Sequence, residues 1–415
     1  MESKDADCAL KVAYWWSDKK NLKMNADEFS EHLREYGIQL FKLNLDESLS
    51  KQGPFEAIIH KLSDVMVKAD AGDDYAKKIV YDFDNYCKAN PEMILIDPLD
   101  KVRILMDRYK QYKVIDESAL GPEIGVFTPT FVELTSKDKQ ENIKKLKEAD
   151  VRYPFVCKPL VAHGSTLAHQ MSLIFCEKGL DDINPPCVAQ TFINHNARLF
   201  KLFVIKDVYY LIERPSLKNF KAGDYPTIHF LSHDISKPKC CNSLTELDPD
   251  DRVNLDLTEP GTRTMDKIVE VLNEKLGLAL YGIDVIIENE TGRYAIIDMN
   301  AFPGYDGVDN ILQLLSDMIV EAINARNSIL HRKLLSRDPK RLDEGKQKDV
   351  IIVANDLSVD RFQSDIESDV KKSSENHDID SGIETSDSCD EKKNKTIPIK
   401  LTRRQHSKNS AVSAT

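Results

Sequence analysis

Apolar residues recur along this chain with two periods. The runs LKVAYWW (10–16), IQLFKL, EAIIHKL and ILIDP (94–98) read as four strands, rich in Ile, Val, Leu and aromatic residues. Between the first two, Phe29, Leu33 and Tyr36 share one helical face over Ala26 to Tyr36, with Asn25 placed to cap the helix and Gly37 to stop it. A charged helix follows from about Asp73 to Lys88. Strands alternating with helices predict a small, mostly parallel α/β domain over residues 1–97. Leu99 to Ile115 predicts one helix, with Val102, Leu105, Met106 and Tyr109 at core spacing. After Gly121–Pro122 the pattern is mixed: strands VFTPTFVEL, PFVCKP (154–159), MSLIF and CVAQTFI, a helix at 138–149 and a short one at GLDDI. FKLFVIKDVYYLIERP predicts a hairpin turning at Lys206–Asp207, and a polar stretch (215–262) leads to a helix at 263–276. Another hairpin, within Leu280–Gly307, and a helix from Val308 to Ala325 complete the pattern.

Beyond about residue 331 the pattern fades. This segment has two Gly, one Phe, no Trp or Tyr, and many Ser, Asp and Lys, so it is expected to be a disordered tail over 331–415. DVIIVA is its one candidate strand or binding segment, and DSGIETSDSCDE (380–391) holds a cluster of candidate phosphosites that also resembles a ubiquitin-ligase degron; such a tail can bind regulatory proteins. Residues 331–415 hold 17 basic and 16 acidic side chains, so the net charge of −12 leaves −13 on residues 1–330. That argues against a broad nucleic-acid or membrane surface, which needs a basic field, but not against a small polyanion in a local basic pocket. No apolar run approaches the roughly 18 residues of a membrane helix, and the N-terminus has no signal-peptide pattern. Eight scattered cysteines without a CxxC pair read as reduced thiols of a cytoplasmic or nuclear protein, with Cys240–Cys241 the one candidate for redox chemistry.

Chemistry concentrates in LYGIDVIIENETGRYAIIDMNAFPGYDG. Gly292 suits the third position of a three-residue hairpin loop, where φ is positive. A loop at 290–292 pairs Asn289 with Arg293 and, counting back, sets Asp284 opposite Asp298 with Asn300 on the same face. Opposed residues have Cβ atoms about 4.5–5.5 Å apart. Two carboxylates that close repel unless a cation neutralises them, and an Asp, Asp, Asn set suits Mg²⁺ held jointly with substrate phosphates. The plainer alternative is a hairpin with two solvated aspartates.

Lys158 ends an apolar strand between Cys157 and Pro159, either snorkelling to solvent or serving as a point charge for a nucleotide phosphate. The loop after it, HGSTLAH, is flexible, but no GxxxxGK[ST] motif occurs in the chain. Lys19, Lys20 and Lys23 share one loop, Lys61 follows a strand, His163 and His169 flank the glycine loop, and Lys201, Arg214, Lys218 and Lys221 lie further on. Each alone reads as a solvated charge; together, in loops after strands, they are candidates for one polyanion site.

The strings YWWSDKK, IIHKLSD, DPLDKVRILMDR, PFVCKPLVAHGS, QTFINHNARLFK, RPSLKNF, SHDISKP, YGIDVIIENETG and IDMNAFPGYDGV resemble, in order, the inositol-tetrakisphosphate 1-kinases, also called inositol 1,3,4-trisphosphate 5/6-kinases. The resemblance covers roughly residues 10–325. It implies an ATP-grasp fold after the N-terminal α/β domain, with a central lobe at 98–205 and a C-terminal lobe with the metal site at 206–330. It also implies transfer of the γ-phosphoryl group of ATP to an inositol hydroxyl with two Mg²⁺ ions; separately, the chain is expected to be a monomer. By this likeness Asp284, Asp298 and Asn300 match metal ligands, with Asp298 bridging the ions. Arg108 and Lys158 match ATP-phosphate contacts. The segment Gln190, Thr191, Phe192, Ile193, Asn194, His195, Asn196, Ala197, Arg198, Leu199, Phe200 and Lys201 matches the wrap around adenine and ribose, and Ser216, Ser232 and Ser236 match further nucleotide contacts. Lys20, Lys61, His169, Lys201, Asn300 and Gly304 match inositol phosphate contacts, with His163 on the same side, and Arg214 and Lys201 are the candidate catalytic cations. The loop between His163 and His169 departs from the family pattern by one residue of extra length.

Two other readings stay open. An ATP-grasp carboxylate–amine ligase has much the same ATP and metal residues but needs a carboxylate substrate, whereas the Lys- and His-rich loops suit several phosphates. A non-catalytic inositol phosphate sensor has no need of the metal set.

Overall fold

The computed structural model describes residues 10–164, 166–238, 240–252, 259–337 and 397–400. Two compact units divide the chain. One comprises Met1–Arg326 with Asn394–Thr415 and carries all the strands among the described residues and the candidate site residues. The other, Asn327–Lys393, contributes among the described residues the last turns of the helix Ile311–Arg337.

The first apolar runs form β1 (Leu10–Trp15), β2 (Ile38–Lys42), β3 (Ala57–His60) and β4 (Ile94–Ile96), a parallel sheet in the order β2-β1-β3-β4. The crossover from β1 to β2 uses helix Ala26–Glu35, whose buried Ala26, Phe29 and Leu33 form one stripe, and Asn25 Oδ1 accepts from the Asp27 and Glu28 N–H groups at its start. Helix Ser63–Asp70, not singled out by the pattern, precedes the expected charged helix, here Asp74–Ala89.

The helix expected over Leu99–Ile115 is broken into Leu99–Leu105 and Arg108–Asp116. Asp107 lies between them in extended conformation, and its Oδ1 accepts from the Lys110 N–H at 3.1 Å. An aspartate that caps the next helix competes successfully with continuing the previous one.

The remaining strands are β5 (Val126–Phe127), β6 (Phe131–Leu134), β7 (Phe155–Pro159), β8 (Gln170–Ile174), β9 (Cys187–Thr191), β10 (Arg198–Ile205), β11 (Val208–Pro215), β12 (Ile228–Leu231), β13 (Leu280–Ile287), β14 (Tyr294–Ala301) and β15 (Ile397–Lys400). They build a five-stranded sheet, β12-β8-β7-β9-β6, and a six-stranded one, β15-β11-β10-β13-β14-β5. VFTPTFVEL, expected as one strand, divides: β5 joins β14 in one sheet and β6 joins β9 in the other, with Pro129 in the break. The expected lobe boundary at 205/206 falls inside the β10–β11 hairpin, so the change of sheet comes earlier, between β9 and β10, and β12 crosses back to pair with β8.

Part of the segment expected to be disordered from 331 is ordered. The last helix runs through Arg337, and Ile397–Lys400 adds to β11. Alternating apolar residues at Ile397 and Ile399 suit a strand, whatever the composition around them. DVIIVA and DSGIETSDSCDE lie outside the described residues.

Apolar cores cover both faces of the six-stranded sheet. Phe200, Leu202, Tyr281, Ile283, Val285 and Ile296 pack with residues of helices Thr262–Leu276 and Arg108–Asp116. On the other face Phe203, Ile205, Ile212, Leu280 and Phe302 pack with residues of the parallel sheet, Ala26–Glu35 and Ile311–Arg337. Leu199, Ile286 and Ala295 form a smaller cluster with Ile193 and Ile297. Alternation along β10, β13 and β14 sets Lys201, Asp284, Asp298 and Asn300 on that second face.

Candidate active site

Strand register builds the centre of the site. Lys201 pairs with Asp284, and Asp284 pairs with Asp298, so three charges lie in one row across β10, β13 and β14. The Lys201 ammonium lies 3.0 Å from Asp284 Oδ1. Arg108 Nε lies 3.7 Å from Asp298 Oδ1, too long for a hydrogen bond, and Asn300 Nδ2 donates to Asp298 Oδ2 at 3.3 Å. Oδ1 of Asp284 and Oδ1 of Asp298 are both buried without an aligned hydrogen-bond donor among the described residues. Burial raises the Asp284 pKa, Asp298 beside it raises it further, and Lys201 opposes both. Two buried carboxylate oxygens, each with one cation within 4 Å, beside an amide are a donor set that fits a hard divalent cation. The described residues contain no cluster of three or more His, Cys, Asp or Glu side chains that could hold a metal ion.

The Asp284–Asp298 pairing arises differently from the simple hairpin count. Glu288 N donates to Arg293 O and Gly292 N donates to Glu288 O, both at 2.8 Å, around a four-residue loop, one residue longer than expected. The register Ile287↔Tyr294 to Val285↔Ile296 then shifts at a β-bulge, and Asp284 meets Asp298. The extra residue is Ile297. Its carbonyl accepts from Lys158 Nζ at 2.8 Å and from Tyr112 Oη at 2.9 Å. The bulge thereby restores the acidic pair and supplies an acceptor for Lys158.

Lys158 also donates to Tyr112 Oη at 2.9 Å and to Gln190 Oε1 at 2.8 Å. Burial pulls its pKa down to about 8 against the attraction of Asp298. Arg108, 2% exposed, begins its helix and donates to the Pro159, Val161 and Ala168 carbonyls, so it ties the loop after β7 beside Asp298.

The segment between β9 and β10 is fastened to the loop after β11. Asn194 Oδ1 accepts from Phe220 N at 2.8 Å, Asn196 N donates to Asn219 Oδ1 at 3.0 Å, and Asn219 Nδ2 donates to Asn196 Oδ1 at 2.9 Å. Burial lowers the His195 pKa to about 4, so the ring is neutral; with Nδ1–H donating to Ile193 O, Nε2 accepts from Ser216 Oγ at 2.7 Å. Asn196 and Ala197 take left-handed φ values of 55° and 57°, turning the chain into β10.

Beyond Asn300 the chain meets lysines of the parallel domain. Lys20 donates to Pro303 O at 2.5 Å and lies 4.3 Å from the centre of the Phe302 ring. Lys61 donates to Phe302 O at 2.6 Å and to Ala301 O at 3.3 Å. Burial, reinforced by neighbouring lysines, lowers the Lys20 pKa to about 6; burial lowers that of Lys61 to about 8. The His163 pKa is lowered to about 3 by burial and by Lys61, its buried Nε2 has no hydrogen-bond partner among the described residues, and His169 Nδ1 lies 3.3 Å from Ser232 Oγ. Arg214 donates to Asp306 O at 2.5 Å, beside Gly307, which has φ +92°. A Cβ on Gly304 would stand 2.7 Å from Asp306 Oδ2 and 3.4 Å from Lys23 Nζ, so that turn is closely packed.

A family model described as the inositol 1,3,4-trisphosphate 5/6-kinase ATP-grasp domain matches residues 122–321, and one for the pre-ATP-grasp domain of the same kinase matches residues 11–102. This chain belongs to the inositol 1,3,4-trisphosphate 5/6-kinase family. Its fold is accordingly an ATP-grasp domain preceded by a pre-ATP-grasp domain. The inositol-tetrakisphosphate 1-kinase of Xenopus laevis is 41% identical over 326 residues, covering 78% of this chain and 79% of that protein. The protein of the same name in Danio rerio is 41% identical over 316 residues, covering 74% and 79%. Inositol-tetrakisphosphate 1-kinase 4 of Glycine max is 27% identical over 320 residues, covering 76% and 89%.

In this family member the structure brings Asp284, Asp298, Asn300, Lys201, Arg108 and Lys158 together, with Lys20 and Lys61 bonded to the two residues after Ala301. Other expected residues have different surroundings. Arg198 bonds Glu213 and Glu259, Phe200 lies in the core behind the sheet, and Thr191 Oγ1 pairs with Thr130 Oγ1 at 2.6 Å. Phe192 packs against an apolar cluster of the five-stranded sheet, and Ser236 Oγ donates to Ser232 O at 3.2 Å. Sequence reasoning missed Tyr112 and the Ile297 carbonyl. Tyr112 follows Tyr109 by three residues on the apolar stripe, a signal that indicates burial but not its hydroxyl's partners. A backbone carbonyl has no signal in residue types.

Proposed function

We propose that this chain is an ATP- and Mg²⁺-dependent inositol phosphate kinase. In this reading it transfers the γ-phosphoryl group of ATP to a hydroxyl of inositol 1,3,4-trisphosphate (positions 5 or 6) or of inositol 3,4,5,6-tetrakisphosphate (position 1). The observation carrying the reading is the Lys201–Asp284–Asp298 row, with Arg108 and Lys158 next to it and Lys20 and Lys61 just beyond Asn300. One group of cations suits a nucleotide phosphate chain and the other a second polyanion; the acidic pair meets Arg108 and Lys201, and Lys20 and Lys61 bond the carbonyls that follow Asn300 along the chain.

Asp284, Asp298 and Asn300 would hold two ions, with Asp298 shared. Bound Mg²⁺ supplies neutralisation of charge on the β- and γ-phosphates. Arg108 and Lys158 hold ATP phosphates as fixed cations. Lys201, already paired with Asp284, and Arg214 stabilise the transferring group, and Lys20, Lys61, His163 and His169 orient the inositol phosphates. Buried His195 and Ser216 fix the segment that wraps the nucleoside. Phosphoryl transfer of this kind needs alignment and charge compensation, with no covalent intermediate on the protein.

The test is product identification after incubating the protein with ATP, Mg²⁺ and a panel of inositol tris- and tetrakisphosphates, with amino acids in parallel. A phosphorylated inositol product supports the reading; ATP turnover only with an amino acid overturns it in favour of a ligase. Asp298→Ala should lower kcat by at least about a thousandfold, in line with removing an electrostatic group from a transition-state site, with Tm within a few degrees of wild type.

A further inference from the structure

Lys61 is a contact in the functional reading above, and a closed circuit of hydrogen bonds sets its place. It follows His60, the last residue of β3. The His60 ring is 3% exposed, and burial lowers its pKa to about 4, so it is neutral. Its Nδ1 accepts from Leu62 N at 3.3 Å, which leaves Nε2–H to donate to the Asp97 carbonyl at 2.7 Å. The Asp97 carboxylate accepts from Ala279 N at 2.7 Å and from Leu280 N at 3.0 Å, at the entry to β13. Leu280 O accepts from Phe302 N at 2.9 Å. Phe302 O accepts from Lys61 Nζ at 2.6 Å, which closes the circuit. No direct bond joins Asp97 and Lys61 among the described residues; the connection runs through backbone groups.

We propose that Asp97 is a positioning residue for Lys61: through the entry to β13 and through His60 it fixes where the Lys61 ammonium stands relative to Asn300 and the metal pair. The inference rests on the reading of Lys61 as an inositol phosphate contact.

Two physical points carry it. First, side-chain contacts do not close this place fully: a small pocket is lined by His60, Lys61, Ser63, Asp97, Val102 and Phe302. Where contacts do not fill space, directional bonds decide position. Second, a carboxylate is an expensive way to satisfy two N–H groups. Asp97 is 6% exposed, and burial raises its pKa to about 7 against the two N–H donors that favour the charged form. One carboxylate spanning two successive N–H groups holds the strand entry at two points, as a single neutral acceptor does not. The strand it holds contains Asp284, and the domain it comes from contains Lys61. Asp97 therefore links the strand that contains Asp284 to the domain that contains Lys61.

The test uses Asp97→Asn, which keeps one acceptor, and Asp97→Ala, which keeps none. KM for the inositol phosphate should rise about tenfold or more in both, with KM for ATP within about twofold and kcat within about threefold, the pattern of lost ground-state binding on one side of the site. In a Lys61→Ala background, Asp97→Asn should add less than about twofold to that KM, because residues acting through one contact are non-additive. Acylation of Lys61 by an amine-reactive reagent, followed by mass spectrometry, should be faster in Asp97→Asn than in wild type. The proposal is overturned by an equal rise in KM for ATP, by additive effects with Lys61→Ala, or by unchanged Lys61 reactivity. Failure of both variants to fold overturns it too, since Asp97 is then a stability residue. If the wild type turns over no inositol phosphate, the functional reading fails, and the Lys61 reactivity still decides the coupling.

Discussion

Lys20 and Lys61 are basic residues held in a state that a polyanion can change. Burial and neighbouring cations lower their pKa values to about 6 and about 8, against about 10.4 for a free lysine. For a folded pKa below the unfolded one, the preference for the neutral form is fully present above about pH 10 and is lost as pH falls through the folded value. Below that the free fold bears the cost of two buried ammonium groups. A bound inositol phosphate supplies the missing counter-charge and raises both values, so binding above neutral pH must take up protons. Between pH 7 and 9, where phosphate groups are already ionised, the affinity for inositol tetrakisphosphate should fall as pH rises, and binding at pH 8.5 should take up between one and two protons. Titration calorimetry in two buffers of different ionisation enthalpy measures that number, and zero uptake would place neither lysine at the ligand. The residue types of this pocket were legible in the sequence, as lysines and histidines after strands, although Lys19 and Lys20 lie in the short helix Asp18–Asn21 and not in a loop. Their tuned state was not, because burial of Lys20 depends on Phe302 and Pro303, some 280 residues away.

At the scale of elements, the β13–β14 hairpin shows why a correct register can hide its own cause. The apolar alternation and Gly292 indicated a hairpin, and Asp284 does face Asp298. The loop is one residue longer than the expected three, which alone moves Asp298 out of the row. The Ile297 bulge adds one residue to β14 and moves it back. Bulges have no fixed sequence signature, so neither deviation was legible. The broken Leu99–Ile115 helix is similar: Asp107 is visible as an aspartate, but whether it caps or decorates a helix depends on the backbone it meets. Both deviations end at Lys158, because the second half-helix supplies Tyr112 and the bulge supplies Ile297 O. Tyr112 Oη accepts from Lys158 and donates to Ile297 O, both at 2.9 Å. Tyr112→Phe removes this link and leaves the ring in its packing. A buried hydrogen bond contributes about 0.5–1.5 kcal/mol, so Tm should fall by a few degrees and KM for ATP should rise about two- to tenfold. KM for the inositol phosphate should stay within about twofold, because Lys20 and Lys61 make no bond to Tyr112. Equal effects on both substrates in steady-state kinetics would separate Lys158 from the ATP side.

At the scale of the whole molecule, the six-stranded sheet is closed by a strand from near the end of the chain. β15 pairs antiparallel with β11, setting Ile397 against Leu211, Pro398 against Tyr210, Ile399 against Tyr209 and Lys400 against Val208. Without it β11 is an edge strand with unpaired backbone groups, the usual template for unwanted strand addition. With it the outermost strand contains Pro398, which lacks an N–H and so offers a poorer edge to any further strand. Composition alone hid this element, since four residues of IPIK lie in a segment otherwise too polar to bury a core. Removing residues 394–415 should speed amide exchange at Val208–Leu211 by at least about tenfold, as expected where strand pairing is lost and the local opening energy falls by about 1.4 kcal/mol or more. Exchange at Leu280–Ile287 should be unchanged, because β13 lies beyond β10. The shortened protein should also self-associate with rising concentration, measurable by light scattering. Turnover should persist, since Lys201 and Asp284 are held by the β10–β13 ladder on the other side of β11. Unchanged exchange at Val208–Leu211 would show that the tail does not pair there in solution, and loss of turnover with intact exchange elsewhere would show that the tail acts on the site itself.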